Sequence, residues 1–205
     1  MKNKTLAEFS ELSASSAPVP GGGGVSAAVG ALSASLGEMV TNLTIGKKKY
    51  LEYNEELEKI KAELTCLRTE LLECINKDAE AFKPLSETYK MSKDDPDYES
   101  RMESCLKTAA DSPYQILKHT CMIIELDERL SVIGSKLSVS DAATSVMLAH
   151  GVLYGAYINI IVNTNLMKDK EYADSLEKNA YALLKEYSEK ALNIFEAIKT
   201  RLNNG

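Results

Sequence analysis

Two long stretches of this 205-residue chain contain no helix breaker, and that absence constrains the fold more than any other feature. Neither Gly nor Pro occurs from residue 47 to 83 or from 156 to 204. A sheet needs a turn every few residues, and turns draw on Gly, Pro, Asn or Asp. The spacing excludes a sandwich or barrel and disfavours a doubly wound sheet. The expected fold is all-α: a single-domain helical bundle over 1–205, of five to seven helices with long central members.

Local patterns divide the chain. Thr5 and Glu8 have the spacing of a capping box, opening a short helix that carries Leu6, Phe9 and Leu12 inward. Ser13 to Pro20 breaks it. A second helix is expected from Gly24 to about Leu43. Its small residues, Ala27, Ala28, Gly30, Ala31, Ser33, Ala34 and Gly37, suit a packing helix at the centre of a bundle. Next comes a heptad seam: Tyr50, Leu57, Leu64, Leu71, Asp78 and Leu85 in one position, Tyr53, Ile60, Leu67, Cys74 and Ala81 in the other. Asp78 is the single polar member. Pro84 is expected to kink or end this helix.

Pro96 reads as the first position of a helix running to about Asp111. Ser112-Pro113 interrupts it, and the pattern resumes to Ile133. Ser138 with Asp141 has cap spacing for a helix over 140–167, apolar nearly all round and therefore central. An amphipathic helix from about Tyr172 to Leu202 closes the chain.

The formal net charge of −6 argues against binding nucleic acid non-specifically, since that requires a basic surface. No apolar run reaches the ~18 residues that read as a membrane span; Val25 to Leu36 is short and diluted by Ser and Gly. The first five residues lack the apolar stretch of a secretory signal, so a cytoplasmic protein is expected. Cys66, Cys74, Cys105 and Cys121 show no metal-ligand spacing and read as reduced. His119 and His150 are isolated, so no metal site is expected.

Gly21 to Gly24 feeding a helix make an anion site by their unpaired amides and the helix dipole. Neither common nucleotide fingerprint can be completed around them. Lys47, Lys48 and Lys49 are either a solvated helix end or a cationic patch for an anionic ligand. Asp78 on an apolar seam is costly unless paired, hydrogen-bonded or protonated. The alternative is that Pro84 turns it outward. Asp141 is less telling, because an acid in a first turn suits the dipole. Asn159 and Asn163 lie one turn apart and must find hydrogen bonds. Asp141 and Asn159 are eighteen residues apart, about 27 Å along a helix, and cannot reach one small group within one subunit.

Pro18 to Ala27, the small-residue helix, Leu43-Thr44-Ile45-Gly46-Lys47-Lys48-Lys49-Tyr50, Asp78-Ala79-Glu80-Ala81-Phe82, Ser140-Asp141-Ala142-Ala143 and Asn159 to Asn163 together resemble the cyclodeaminase/cyclohydrolase family. The blocks run in the same order over about 18–169. The resemblance implies a helical domain that forms a homodimer and acts on a one-carbon unit held across two nitrogens of tetrahydrofolate. It also implies a methenyltetrahydrofolate cyclohydrolase as the first reading and a formiminotetrahydrofolate cyclodeaminase as the second. A non-catalytic helical dimerisation module is the rival of another class. Asp78, Asp141 and Lys48 become candidate catalytic groups. Pro20, Gly21, Gly22, Gly23, Gly24, Lys47, Lys49, Asn159 and Asn163 become candidate substrate contacts. Lys47 to Lys49 and the glycine amides would receive the carboxylates of a polyglutamylated folate. No metal or redox cofactor is called for.

Overall fold

A computed structural model of the chain describes residues 1–203. It has six α-helices: α1 (Leu6–Ser13), α2 (Gly22–Asn42), α3 (Asn54–Thr88), α4 (Tyr98–Ile133), α5 (Val139–Thr164) and α6 (Lys170–Asn203). A 3-10 helix over Lys48–Tyr53 leads into α3, and no strand occurs among the described residues. Short connections make successive long helices antiparallel. Helices α2 to α5 pack on one another as a bundle, and α6 covers α4 and α5.

The start of α2, the later halves of α3 and α5 and the first half of α4 therefore share one end of the bundle. Lys47 to Lys49, Ser135 and Asp141 lie at the other. Small residues on α2 allow this packing. A β-carbon at Gly30 would come within 3.3 Å of Leu71, and one at Gly37 within 3.1 Å of Leu64, so α3 leans directly on the α2 backbone. The seam is the face used: Leu57, Ile60, Leu64, Leu67, Leu71 and Cys74 are buried.

Several expectations change. The capping box on α1 is present, with the Thr5 amide donating to Glu8 and the Glu8 amide to Thr5 Oγ1. Yet Leu6 points to solvent at 78% exposure. Helix α2 begins at Gly22, so three of the four glycines form its first turn instead of a loop before it. Ser138 makes no side-chain cap; its hydroxyl donates to the Ser135 carbonyl. Pro96 stays in the turn before α4. All four cysteines are free; Cys74 and Cys121 are buried, and Cys66 is exposed.

Neither proline inside a helix stops it. Pro84 frees the carbonyl of Glu80, an exposed residue, so water can take its place. Pro113 frees the carbonyl of Ala109, which is buried. There the Asn163 carboxamide donates to Ala109 O at 3.4 Å, a long hydrogen bond from α5 that supplies the donor the proline lacks. The expected interruption at Ser112-Pro113 is bridged by a tertiary contact.

One buried acid carried no sequence signal. Asp127 on α4 has no exposed surface, and Ser145 Oγ lies 2.6 Å from its Oδ2. Ser145 also lies 2.8 Å from the Ser33 carbonyl, but its hydroxyl holds one proton for two acceptors. A protonated Asp127 satisfies both: it donates to Ser145, and Ser145 donates to Ser33. Burial pushes the Asp127 carboxyl well above the usual carboxylate range, outweighing Ser145. Its Oδ1 has no hydrogen-bond partner and faces Gly37.

Helices α2 and α5 have the length and mean hydropathy (1.2 and 1.6) of candidate membrane spans, beyond what the apolar-run count suggested. They are also the helices that carry much of the core, through Ala27, Ala31, Ala34, Val146, Val152 and Leu153. Each leaves an apolar stripe uncovered: Val25, Leu32 and Met39 at heptad spacing on α2, and Tyr154, Ile158 and Val162 on α5.

Candidate functional site

The first turn of α2 leaves amides without intrahelical partners. Gly21 is its N-cap and offers no side chain to take them, and the turn has no acid of its own. Asp78 supplies one from α3. A β-carbon at Gly23 would sit 2.6 Å from Asp78 Cγ, so the carboxyl occupies the space that a side chain at position 23 would need. The anion site read from the glycines is thus filled by the protein's own carboxylate. The reading in which Pro84 turns Asp78 outward is excluded.

Opposing influences act on Asp78. Burial raises its pKa above the usual carboxylate value; the Gly24 amide and the Ser112 hydroxyl work against this by favouring the charged form. Such a group holds a proton more readily than a surface carboxylate, as a general base requires.

In front of Asp78 lies a cavity of about 150 Å³, bounded by the Gly21 to Gly23 turn, Phe82, Pro113, Asn159 and Asn163. Asn159 comes so close to α2 that a β-carbon at Gly22 would lie 2.9 Å from its Nδ2. Its carboxamide donates to the Gly155 carbonyl at 2.7 Å, and Asn163 donates to the Asn159 carbonyl at 2.8 Å. These bonds fix both side chains and leave the Asn159 oxygen near the cavity. Pro20 is buried and would lie 3.2 Å from a β-carbon at Gly24. It backs the turn from behind and does not line the cavity.

Gly21, Gly22, Gly23, Asp78, Asn159 and Asn163 therefore come together, with Gly24 acting through its amide. Asp141, Lys47, Lys48 and Lys49 do not join them. The 21 residues of α2 put about 31 Å between the glycine turn and the lysines. Lys47 donates to Ser135 Oγ at 3.0 Å, and Lys49 lies 5.9 Å from the centre of the Tyr50 ring. Within one chain, Lys48 and Asp141 cannot act on a group held by Asp78.

Ser112, Phe82 and Pro113 were not picked out as site residues. The Ser112-Pro113 pair was the available signal, because a proline inside a long apolar pattern marks a place where backbone groups seek other partners. Among the described residues, no three His, Cys, Asp or Glu side chains converge as a metal site would require.

The chain resembles known proteins over nearly its whole length. The family model described as formiminotransferase-cyclodeaminase matches residues 5–182. A protein of Methylorubrum extorquens named methenyltetrahydrofolate cyclohydrolase is 35% identical, covering 98% of this chain and 99% of its own. The mouse formimidoyltransferase-cyclodeaminase is 25% identical over 89% of this chain, which matches 34% of that larger protein. Among solved structures, formiminotetrahydrofolate cyclodeaminase from Thermotoga maritima superposes with a TM-score of 0.85 at 28% identity, covering 99% of this chain and 98% of that one. On this evidence the chain belongs to the formiminotransferase-cyclodeaminase family.

Proposed function

We propose that this chain is a methenyltetrahydrofolate cyclohydrolase with Asp78 as its general base. The observation that carries the reading is the half-buried Asp78 held against the first turn of α2, in a chain matched end to end by a relative named for that activity. The methenyl carbon of the substrate bridges two nitrogens and shares a positive charge with them. Asp78 can stabilise that cation and take a proton from the attacking water. The new C–O bond gives a tetrahedral carbon. Breaking one C–N bond and protonating the released nitrogen leaves the formyl product. Water brings two protons, of which one stays on nitrogen and one leaves the site. Asn159, fixed from α5, is placed to orient the water or the oxygen formed from it.

A cavity of about 150 Å³ is below the ~300 to 1,000 Å³ of ordinary ligand pockets, so one chain encloses only the reacting end of a folate. A homodimer packed antiparallel through the α2 and α5 stripes would complete the site. It would bring the partner subunit's Lys47 to Lys49 and Asp141 toward this chain's glycine turn. The partner's lysines would then receive the carboxylates of a polyglutamate tail. The chemistry uses water and a base, with no metal or redox cofactor. A cytoplasmic location and no role for nucleic acid or membrane complete the reading.

The Thermotoga neighbour favours a second reading, cyclodeaminase, in which a protonated Asp78 would give its proton to departing ammonia. Absorbance assays separate the two. Methenyltetrahydrofolate hydrolysed faster than in buffer supports the first. Its appearance from formiminotetrahydrofolate, without that hydrolysis, supports the second.

A further inference from the structure

The Asn163 carboxamide donates in two directions. It reaches the Asn159 carbonyl at 2.8 Å along α5 and the Ala109 carbonyl at 3.4 Å across to α4. The second acceptor is open because Pro113 has no N–H to offer Ala109. Turning the carboxamide over would set its oxygen against both carbonyl oxygens, an acceptor facing two acceptors. One orientation is therefore fixed, and it leaves Oδ1 with no donor among the described residues.

Asn163 is half-buried and borders the cavity in front of Asp78. The other polar side chains on that cavity are Asp78 and Asn159. Asp78 lies against Gly23, and Asn159 against Gly22. Asn163 stands one turn further along α5, about 6 Å from Asn159. Phe82, Pro113 and Val162 supply apolar walls. A flat ring system with its reacting end at Asp78 thus meets apolar surface on its faces and a lone acceptor toward its far end.

We propose that Pro113 is a positioning residue for substrate specificity: by withholding an N–H from Ala109, it holds the Asn163 oxygen as an acceptor for the exocyclic amino group of a pteridine ring. The inference rests on the folate reading of the site. In a folate that amino group sits at the end of the fused ring away from the nitrogens that carry the one-carbon unit, and it donates N–H. A carboxamide is neutral, so this acceptor adds no negative charge near Asp78 and does not titrate with it. Ring recognition and proton transfer are thereby given to different side chains.

The test compares kcat/KM for methenyltetrahydrofolate and for its 2-desamino-2-methyl analogue, in which a methyl group of similar size replaces the amino group. Wild type is expected to prefer the parent by about 10- to 100-fold, because the analogue leaves the oxygen unpaired. Asn163→Ala is expected to reduce that preference to about threefold or less. Pro113→Ala restores the backbone donor to Ala109, frees one anchor of the carboxamide, and is expected to give an intermediate preference. A wild type that does not discriminate, or a preference that survives Asn163→Ala, overturns the contact; a full preference in Pro113→Ala overturns the role of the proline. Should Asn163→Ala fail to fold, it is made in the Pro113→Ala background, where Ala109 keeps a partner, and the same outcomes apply. A wild type that hydrolyses no methenyltetrahydrofolate defeats the cyclohydrolase reading and not this one. Calorimetry with tetrahydrofolate and its 2-desamino-2-methyl analogue then carries the comparison, and equal affinities, or no binding of either, overturn the proposal.

Discussion

The Asp78 carboxyl takes the place of a side chain at Gly23: a β-carbon there would lie 2.6 Å from Asp78 Cγ. Gly23→Ala therefore has to push Asp78 off the first turn of α2. Displacing a reacting group by about 1 Å commonly costs about 100-fold in rate, and overpacking costs about 1–3 kcal/mol. The expected outcome is a folded protein, less stable by that amount in urea titration, with kcat down by about two orders of magnitude.

Asn163 and Pro113 are expected to be coupled in stability. With proline at 113, removing the Asn163 carboxamide leaves the buried Ala109 carbonyl unpaired, at a cost of about 1–3 kcal/mol. In a Pro113→Ala background, the restored backbone N–H bonds Ala109, and Asn163→Ala costs less. A double-mutant cycle by denaturant unfolding reads the difference. Equal costs in both backgrounds would show that the 3.4 Å contact contributes nothing.

This pair also marks how far the sequence could be read. Helix order and the buried seam with Asp78 on it followed from periodicity, because a heptad pattern states which face is buried; the grouping of the glycines with Asp78 came from the family resemblance. The continuity of α4 did not follow: a proline breaks local hydrogen bonding, and the repair comes from Asn163, 54 residues away. Lys48 and Asp141 were grouped with Asp78 by family resemblance, whereas the length of α2 separates them. Asp127 escaped notice because Ser33 and Ser145, which answer it, lie on other helices.

Asp127 should make stability depend on pH in a defined direction. Its folded pKa is raised, so in the pH interval between the unfolded value near 3.9 and the raised folded one the native state holds a proton that the unfolded state has lost. Stability from this group is full below about pH 4 and declines as pH rises toward the folded pKa. Asp127→Asn is neutral in both states and removes that decline. Urea unfolding at pH 5, 7 and 9 is expected to show the variant gaining on wild type as pH rises; a constant gap would contradict a protonated Asp127.

The uncovered stripes make the assembly testable. Leu32 on α2 and Ile158 on α5 are 54% and 55% exposed. Leu32→Glu combined with Ile158→Glu is expected to convert a dimer to monomers in sedimentation velocity, with loss of turnover. A wild-type protein that sediments as an active monomer would refute the shared site.

The most direct measurement is the pH–rate profile for methenyltetrahydrofolate hydrolysis by wild type and Asp78→Asn, followed by absorbance. Because burial raises the Asp78 pKa, the acid limb of kcat/KM is expected above the ordinary carboxylate range, with activity lost as pH falls through it. Asp78→Asn, with its helical circular dichroism intact, is expected to lose about 100-fold or more and to show no such limb. A folded Asp78→Asn protein with wild-type rates and an unchanged acid limb would contradict the assignment of Asp78 as the base.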